Sequence, residues 1–335
     1  MSIPVIDAKP DTAELPTCAQ PRLDFLWLEL TQKCNLRCQH CYVSSTPDLP
    51  LHGKMRHQDW IRAIHEAAAL GCRSIQFIGG EPLLYPKIED LISEARALNF
   101  ELIEIYTNGT PVTLDRAELF SRSGVRVACS FYSASAETHD AITQKHGSFG
   151  KTVTALRNLK KMHVPLRIGF IEMEQNKGHF EAAKKFLENL GITEIRQDST
   201  QAFGRGEMQV ERRIPPKGKF DGLCGQCCRN RMCLTYSGEV SPCPMSRGFV
   251  VGNFIEDGLQ EVLHSELLST FQREMKRELF ENRERQPLSD TTAPAPCGPG
   301  PVPCMVCGPG NCNPDFICDP DIPCPICFPG LCIPG

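Results

Sequence analysis

The chain has 335 residues, 41% hydrophobic and 23% charged, with a formal net charge of -4. That length supports one large core and a smaller module. The mild acidity and the absence of long basic runs exclude a nucleic-acid footprint, and no stretch approaches the roughly 20 apolar residues of a membrane span.

Nineteen cysteines would suit a secreted disulfide scaffold. The odd count argues otherwise, as does the opening Met1-Ser-Ile-Pro-Val-Ile-Asp, which lacks a basic region followed by an apolar run. A cytoplasmic protein with reduced, metal-binding thiols is expected.

Residues 1–24 are punctuated by prolines without a sustained period and are expected to form an arm too short for a folded peptide-recognition domain. Short apolar runs rich in β-branched and aromatic residues then predict strands at Leu26–Leu30, Ser74–Ile78, Leu102–Thr107, Val125–Phe131, Leu166–Ile171 and Glu194–Gln197. Helical periodicity lies between them, at about Gln58–Leu70, Lys87–Leu98, Leu114–Ser121, Gly150–His163 and Phe180–Leu190. Gly71 and Gly191 supply stops for the first and last of these. Strands alternating with helices imply an α/β fold with a parallel sheet and right-handed crossovers. An open, partial (β/α)6 TIM-like barrel over 25–210 is the expected architecture, with its chemistry at the carboxyl ends of the strands.

Directly after the first strand comes Cys34-Asn-Leu-Arg-Cys38-Gln-His-Cys41. Three thiolates on one short loop can hold three irons of a [4Fe–4S] cluster and leave the fourth open. Zinc is the rival, but zinc sites pair two close couplets, and the next cysteine is the isolated Cys72. At later strand ends stand Gly79-Gly80-Glu81-Pro82, Thr107-Asn108-Gly109 and Ser130. Glu29, inside the first strand, faces the lumen or pairs with a basic neighbour, the pairing being preferred. Tyr132 is read as a packed or rim residue, and Cys72 and Cys129 as small core hydrophobes. Gly204-Arg205-Gly206 follows the sixth strand, either letting backbone approach a ligand while Arg205 pairs with a carboxylate, or serving as a linker.

A second cysteine field begins at Cys224-X2-Cys227-Cys228-X4-Cys233. Leu234–Tyr236, Gly238 and Val240 predict a hairpin that returns the chain so that Cys233 and Cys243 face one ion or cluster. From Cys297 to Gly335 there are eight cysteines, ten prolines and no Lys or Arg. Here C-X2-C-X-P-G-X-C occurs twice, from Cys304 and from Cys324. So much proline prevents helix or central strand, leaving order to metal or disulfide.

The Cys34/Cys38/Cys41 spacing, together with the Gly-Gly-Glu and Thr-Asn-Gly strand ends, resembles the signature of the radical S-adenosylmethionine (radical SAM) enzymes. His40 departs from it mildly, standing where an aromatic residue is usual. The C-X4-G-X4-C hairpin, followed by Gly252-Asn253 and an amphipathic stretch from Gly258 to Leu268, resembles the SPASM and twitch modules appended to such enzymes. The resemblance implies that Cys34, Cys38 and Cys41 hold a [4Fe–4S] cluster whose open iron chelates SAM. It also implies that Gly79, Gly80 and Glu81 meet the SAM amino group through backbone and carboxylate, with Asn108 and Ser130 as further cofactor contacts. Asn176 either touches the adenosine or caps a helix starting near Lys177.

Cys224, Cys227, Cys233 and Cys243 are the expected ligands of an auxiliary [4Fe–4S] cluster, with Cys228 a substitute and a zinc ribbon the alternative. The auxiliary-cluster domain is expected over 211–288 and a Cys/Pro/Gly-rich tail over 289–335. A second auxiliary cluster would have to use tail cysteines, whose spacing departs from the usual one. The implied activity is reductive cleavage of SAM and hydrogen abstraction from a substrate carbon by a 5′-deoxyadenosyl radical. A ribosomally made peptide is the leading substrate, and a flavodoxin or ferredoxin the electron donor. A sugar or aminocyclitol dehydrogenase or epimerase is the alternative enzyme, and an iron–sulfur or metal carrier the alternative without catalysis.

Overall fold

The computed structural model of the chain describes residues 22–209, 218–220, 222–225, 227 and 230–278. Most of the N-terminal arm, Cys228 and the whole cysteine-proline tail lie outside the described residues.

Six parallel strands, β1 (Phe25–Glu29), β2 (Ser74–Ile78), β3 (Leu102–Thr107), β4 (Arg126–Phe131), β5 (Leu166–Glu172) and β6 (Ile195–Ser199), stand side by side in sequence order. The alternation expected from the sequence is therefore present, each strand end moving by at most two residues. Helices α1 (His57–Ala69), α2 (Ile88–Ala97) and α3 (Leu114–Arg122) fill the first three crossovers. The β4–β5 crossover holds two helices, α4 (Ala136–Thr143) and α5 (Ser148–Lys161), and α6 (Phe180–Asn189) precedes β6. Helix α4 was not expected: it has only 8 residues, too few for its apolar positions to repeat. Its start was legible, since Ser135 accepts a hydrogen bond from Thr138 N as an N-cap.

Each helix buries a stripe at three- and four-residue spacing against the sheet, as with Trp60, Ala63, Ile64 and Ala67 of α1. The outward strand residues meet those stripes in two clusters, Leu26, Leu28, Phe77, Ile103 and Ile105 in the larger and Cys129, Phe131, Ile168 and Phe170 in the smaller.

The inner face is different. At alternate positions β2 to β5 carry Gln76, Glu104, Tyr106, Arg126, Ser130 and Arg167. Glu104 is fully buried and takes Arg167 in a fork, Nε to Oε1 at 2.9 Å and Nη2 to Oε2 at 2.7 Å. Arg126 approaches Oε1 at 3.2 Å, and Gln76 donates to Oε2. These polar residues mid-strand bind the lower lumen with charge-assisted bonds.

The second cysteine field adds three more strands to the same sheet. Strand β7 (Arg231–Thr235) runs parallel to β1 in full register, Phe25 opposite Arg231 and Glu29 opposite Thr235. Strands β8 (Glu239–Ser241) and β9 (Gly252–Asn253) continue antiparallel, the first forming the expected hairpin with β7. The amphipathic stretch after them is two helices, α7 (Phe254–Leu263), interrupted at Gly258 with φ 78°, and α8 (Glu266–Lys276). Glu29 is on the lumen face and also pairs with Arg247, beyond the hairpin, so the preferred pairing holds. Among the described residues no helix is long and apolar enough to cross a membrane.

Breaking the Glu104 fork should be costly. Glu104→Ala strands a guanidinium whose side chain is 1% exposed, and about 3–5 kcal/mol of stability should be lost. Denaturant unfolding of the variant against wild type measures it.

Candidate functional site

The three thiols of Cys34, Cys38 and Cys41 sit on the loop leaving the carboxyl end of β1. The loop closes on itself where Cys34 N donates to Thr46 O at 3.1 Å. It docks on the end of α4, Arg37 N reaching Thr143 O and Gln39 N reaching Ile142 O, both at 3.1 Å.

Its base is fixed by the Gly-Gly-Glu turn after β2. Gly80 N donates to Thr31 O at 2.7 Å and Glu81 N to Lys33 O at 3.0 Å. Gly79 has φ +146°, and a Cβ on it would fall 2.6 Å from Thr31 O; one on Gly80 would collide with Lys33 O. Both residues have to be glycine for the strand ends to lie this close.

The Glu81 carboxylate is fully buried and already engaged. Oε1 accepts from Thr107 Oγ1 at 2.7 Å and Leu83 N at 3.1 Å, and Oε2 from Asn108 N at 2.9 Å. Burial pushes its pKa up to about 7 against those donors. The group ties the end of β2 to that of β3, and backbone is what reaches the cysteine loop.

Asn108 supplies a second tie, its Nδ2 donating to Asn35 Oδ1 at 2.9 Å and lying 3.7 Å from Cys34 Sγ. Ser130, half-buried on the inner face, donates to the Tyr106 hydroxyl at 3.3 Å. Tyr132, two residues on, is 4% exposed and meets the His40 ring edge-on at 4.9 Å. The packed reading of Tyr132 holds, and the residue it packs on belongs to the cysteine loop.

Asn176 is turned inward. Nδ2 donates to Tyr132 O and Ile171 O, both at 2.9 Å, and Oδ1 accepts Met173 N at 2.7 Å. It does not cap α6, which begins at Phe180 after His179; the bond from Met173 N instead caps the single 3-10 turn Glu174–Asn176. With 0% exposure its amide joins the ends of β4 and β5.

The Arg205 guanidinium donates to the carbonyls of Cys38 and Ser45, so Gly204-Arg205-Gly206 brings backbone and side chain onto the cysteine loop. Beside it, Arg37, Gln39, Thr46, Gln144 and Gln175 help line a cavity of about 430 Å³.

Burial, then the Glu81 charge, pushes the Cys34 thiol up to about 12. Burial and the neighbouring Cys41 and Cys34 raise Cys38 as well, while a Tyr132 hydrogen bond pulls the other way. A cation that replaces those protons gains the affinity of the thiolates it frees. Burial also lowers His40 to about 4, so its ring is neutral, and Nδ1 is buried with no hydrogen-bond partner. Three thiols and an orphaned ring nitrogen on one loop fit an iron–sulfur cluster there.

In the hairpin region, Cys227 and Cys243 sulfurs lie 2.9 Å apart. Cys233 projects beside Ser241 on the adjacent strand and feels the Cys243 charge. Cys224 is half-buried, three residues before Cys227. The structure thus groups Cys227, Cys233 and Cys243. Among the described residues no three His, Cys, Asp or Glu side chains close around a single metal-ion position.

Asn35 and Tyr106 were not singled out in the sequence. Their signals were present: Asn35 follows the first cysteine directly, and Tyr106 precedes Thr-Asn-Gly at an inward position.

The radical SAM superfamily model matches residues 28–187, and the model of an iron–sulfur cluster-binding domain, SPASM, matches residues 224–286. The chain is 23% identical over 269 residues to the antilisterial bacteriocin subtilosin biosynthesis protein AlbA of Bacillus subtilis, covering 72% of this chain and 59% of that protein. It is 30% identical over 192 residues to the AdoMet-dependent heme synthase of Methanosarcina barkeri, covering 57% and 54%. The chain therefore spans somewhat over half the length of these relatives. Among solved structures, Streptococcus suis SuiB bound to its precursor peptide SuiA shares the fold with a TM-score of 0.61 at 14% identity, over 75% of this chain and 67% of that one. A cysteine loop pinned to a Gly-Gly-Glu strand end, a parallel half-barrel and a cysteine hairpin on its edge agree with both family models: the chain belongs to the radical SAM superfamily and carries a SPASM-type iron–sulfur domain.

Proposed function

We propose that this protein is a radical SAM enzyme that modifies a ribosomally made peptide. The observation that carries the reading is the Cys34/Cys38/Cys41 loop, locked by backbone hydrogen bonds to the Gly79-Gly80-Glu81 turn at the carboxyl ends of the barrel strands. Cys34, Cys38 and Cys41 would hold a [4Fe–4S] cluster, and Gly79, Gly80, Asn108 and Ser130 would border the SAM site. When bound, that cluster supplies the electron that cleaves SAM to a 5′-deoxyadenosyl radical for hydrogen abstraction, with a flavodoxin or ferredoxin as its donor. Cys227, Cys233 and Cys243, with Cys224, would hold an auxiliary cluster.

The protein's own part is geometry. Glu81, Thr107 and Asn108 fix the strand ends, and the barrel wall keeps water from the reacting centre. A peptide is favoured by two observations. AlbA is named for bacteriocin biosynthesis and SuiB was solved with a precursor peptide. The cavity beside the cysteine loop is also lined by side-chain amides and two guanidiniums, groups that pair with peptide N–H and C=O.

With iron and sulfide reconstituted anaerobically, then SAM and a strong reductant, wild type should form 5′-deoxyadenosine and Cys34→Ala should not. Chromatography of the quenched reaction decides it, and deuterium carried from candidate peptides into the product identifies the substrate. Gly80→Ala forces the turn away from Lys33 O; its iron content after reconstitution should fall well below that of wild type. Glu81 sets a pH dependence in the cluster-free protein. A carboxyl whose pKa folding raises to about 7 favours the protonated state. Its contribution is fully present below the unfolded value near 4.5 and is lost as pH rises through 7, about 3 kcal/mol in all. Glu81→Gln should flatten that slope in urea unfolding measured from pH 4.5 to 7.5.

A further inference from the structure

An arginine in a loop after a barrel strand ordinarily pairs with a carboxylate or remains in water. Arg205 instead gives its guanidinium to the cysteine loop, Nε to Cys38 O at 2.9 Å and Nη2 to Ser45 O at 2.8 Å. Its backbone N–H goes to Cys41 O at 3.0 Å. Three carbonyls of residues 38–45, two of them from candidate cluster ligands, therefore end on one residue of the β6 loop.

The flanking glycines make this approach possible. Gly204 has φ +55°, and a Cβ on it would fall 2.6 Å from Cys41 O and 2.5 Å from Tyr42 O. A Cβ on the buried Gly206 would fall 2.2 Å from Gln201 O of its own loop, with His40 O next at 3.3 Å. The Gly-Arg-Gly sequence is thus a clasp whose backbone lies on the loop and whose one side chain reaches under it.

Among the described residues no carboxylate pairs with Arg205, so the loop receives a fixed cation with its two guanidinium bonds. The potential of an iron–sulfur cluster follows net charge, hydrogen bonding and exposure at its ligands.

We propose that Arg205 is a positioning residue of the cluster site, which holds the Cys38 and Cys41 carbonyls in one arrangement and, through its charge, makes the bound cluster easier to reduce. The proposal rests on Cys34, Cys38 and Cys41 being the ligands of a [4Fe–4S] cluster. The step concerned takes one electron from an external donor, brings the cluster from its 2+ to its 1+ state and moves no proton.

The test compares wild type, Arg205→Lys and Arg205→Gln after anaerobic reconstitution with iron and sulfide. Iron and sulfide content, and the midpoint potential from a dithionite titration followed by electron paramagnetic resonance, are measured for each. Cys34→Ala supplies the signal of any auxiliary cluster for subtraction. Arg205→Gln should shift the reduction equilibrium toward the oxidised cluster about tenfold, 59 mV for one electron. Arg205→Lys, which keeps the charge but not the fork, should stay near wild type. A fully loaded Arg205→Gln with the wild-type potential overturns the proposal, as does Arg205→Lys shifting as far as Arg205→Gln. Should Arg205→Gln take up no iron, the lysine variant decides, a wild-type potential supporting the proposal and a lowered one overturning it. A wild type that loads no more iron than Cys34→Ala overturns the ligand assignment itself, a separate result.

Discussion

The site depends on how closely two strand ends can approach. The turn after β2 lies against the chain leaving β1, Gly80 N on Thr31 O and Glu81 N on Lys33 O, and only glycine leaves room for it. Everything else at the carboxyl end follows from that contact. The cysteine loop starts from Lys33, so its base is held by sheet-like hydrogen bonds instead of by loop packing. Glu81 then passes the constraint to β3 through Thr107 and Asn108, and Asn108 returns it to the loop through Asn35. A ring of short polar contacts thereby does for the loop what a ladder does for a strand.

Below this ring the inner face is unusually polar for a parallel sheet buried on both sides. Glu104 joins Gln76, Arg126 and Arg167, and Arg167 stacks over Tyr106 with 5.7 Å from its guanidinium carbon to the ring centroid. Tyr106 in turn meets Ser130. These partners restrict one another's rotamers and give the upper lumen a polar floor.

Much of the architecture was legible because the chain repeats one unit. Each strand is a short apolar run and each long helix has a stripe, so position and order follow from period alone. What escaped was short or non-local. Helix α4 has too few turns to show a period, and the break between α7 and α8 at His264 and Ser265 is hidden inside an amphipathic stretch that reads as continuous. In the site, the cysteines and glycines were legible because their chemistry is carried by residue type and spacing. The partners of Asn176 and Arg205 were not legible, because an amide or a guanidinium can satisfy many partners, and carbonyls they reach lie on other strands' loops. Glu29 was ambiguous for the same reason, its partner Arg247 standing 218 positions away.

The pairing of β7 with β1 has a consequence for how the molecule assembles. Strand β7 is separated from β1 by the whole barrel, so this pair closes the longest loop among the described strands of the sheet. Contacts of such separation form after local ones, because the entropy of closing the intervening chain falls due before any contact repays it. The half-barrel therefore precedes the cysteine hairpin, and until β7 arrives, β1 presents an unpaired, apolar edge, Phe25-Leu-Trp-Leu, to any other strand in reach. The iron–sulfur domain thus also serves as the cover strand of the barrel, and a chain interrupted before Arg231 would be left with an edge prone to aggregation.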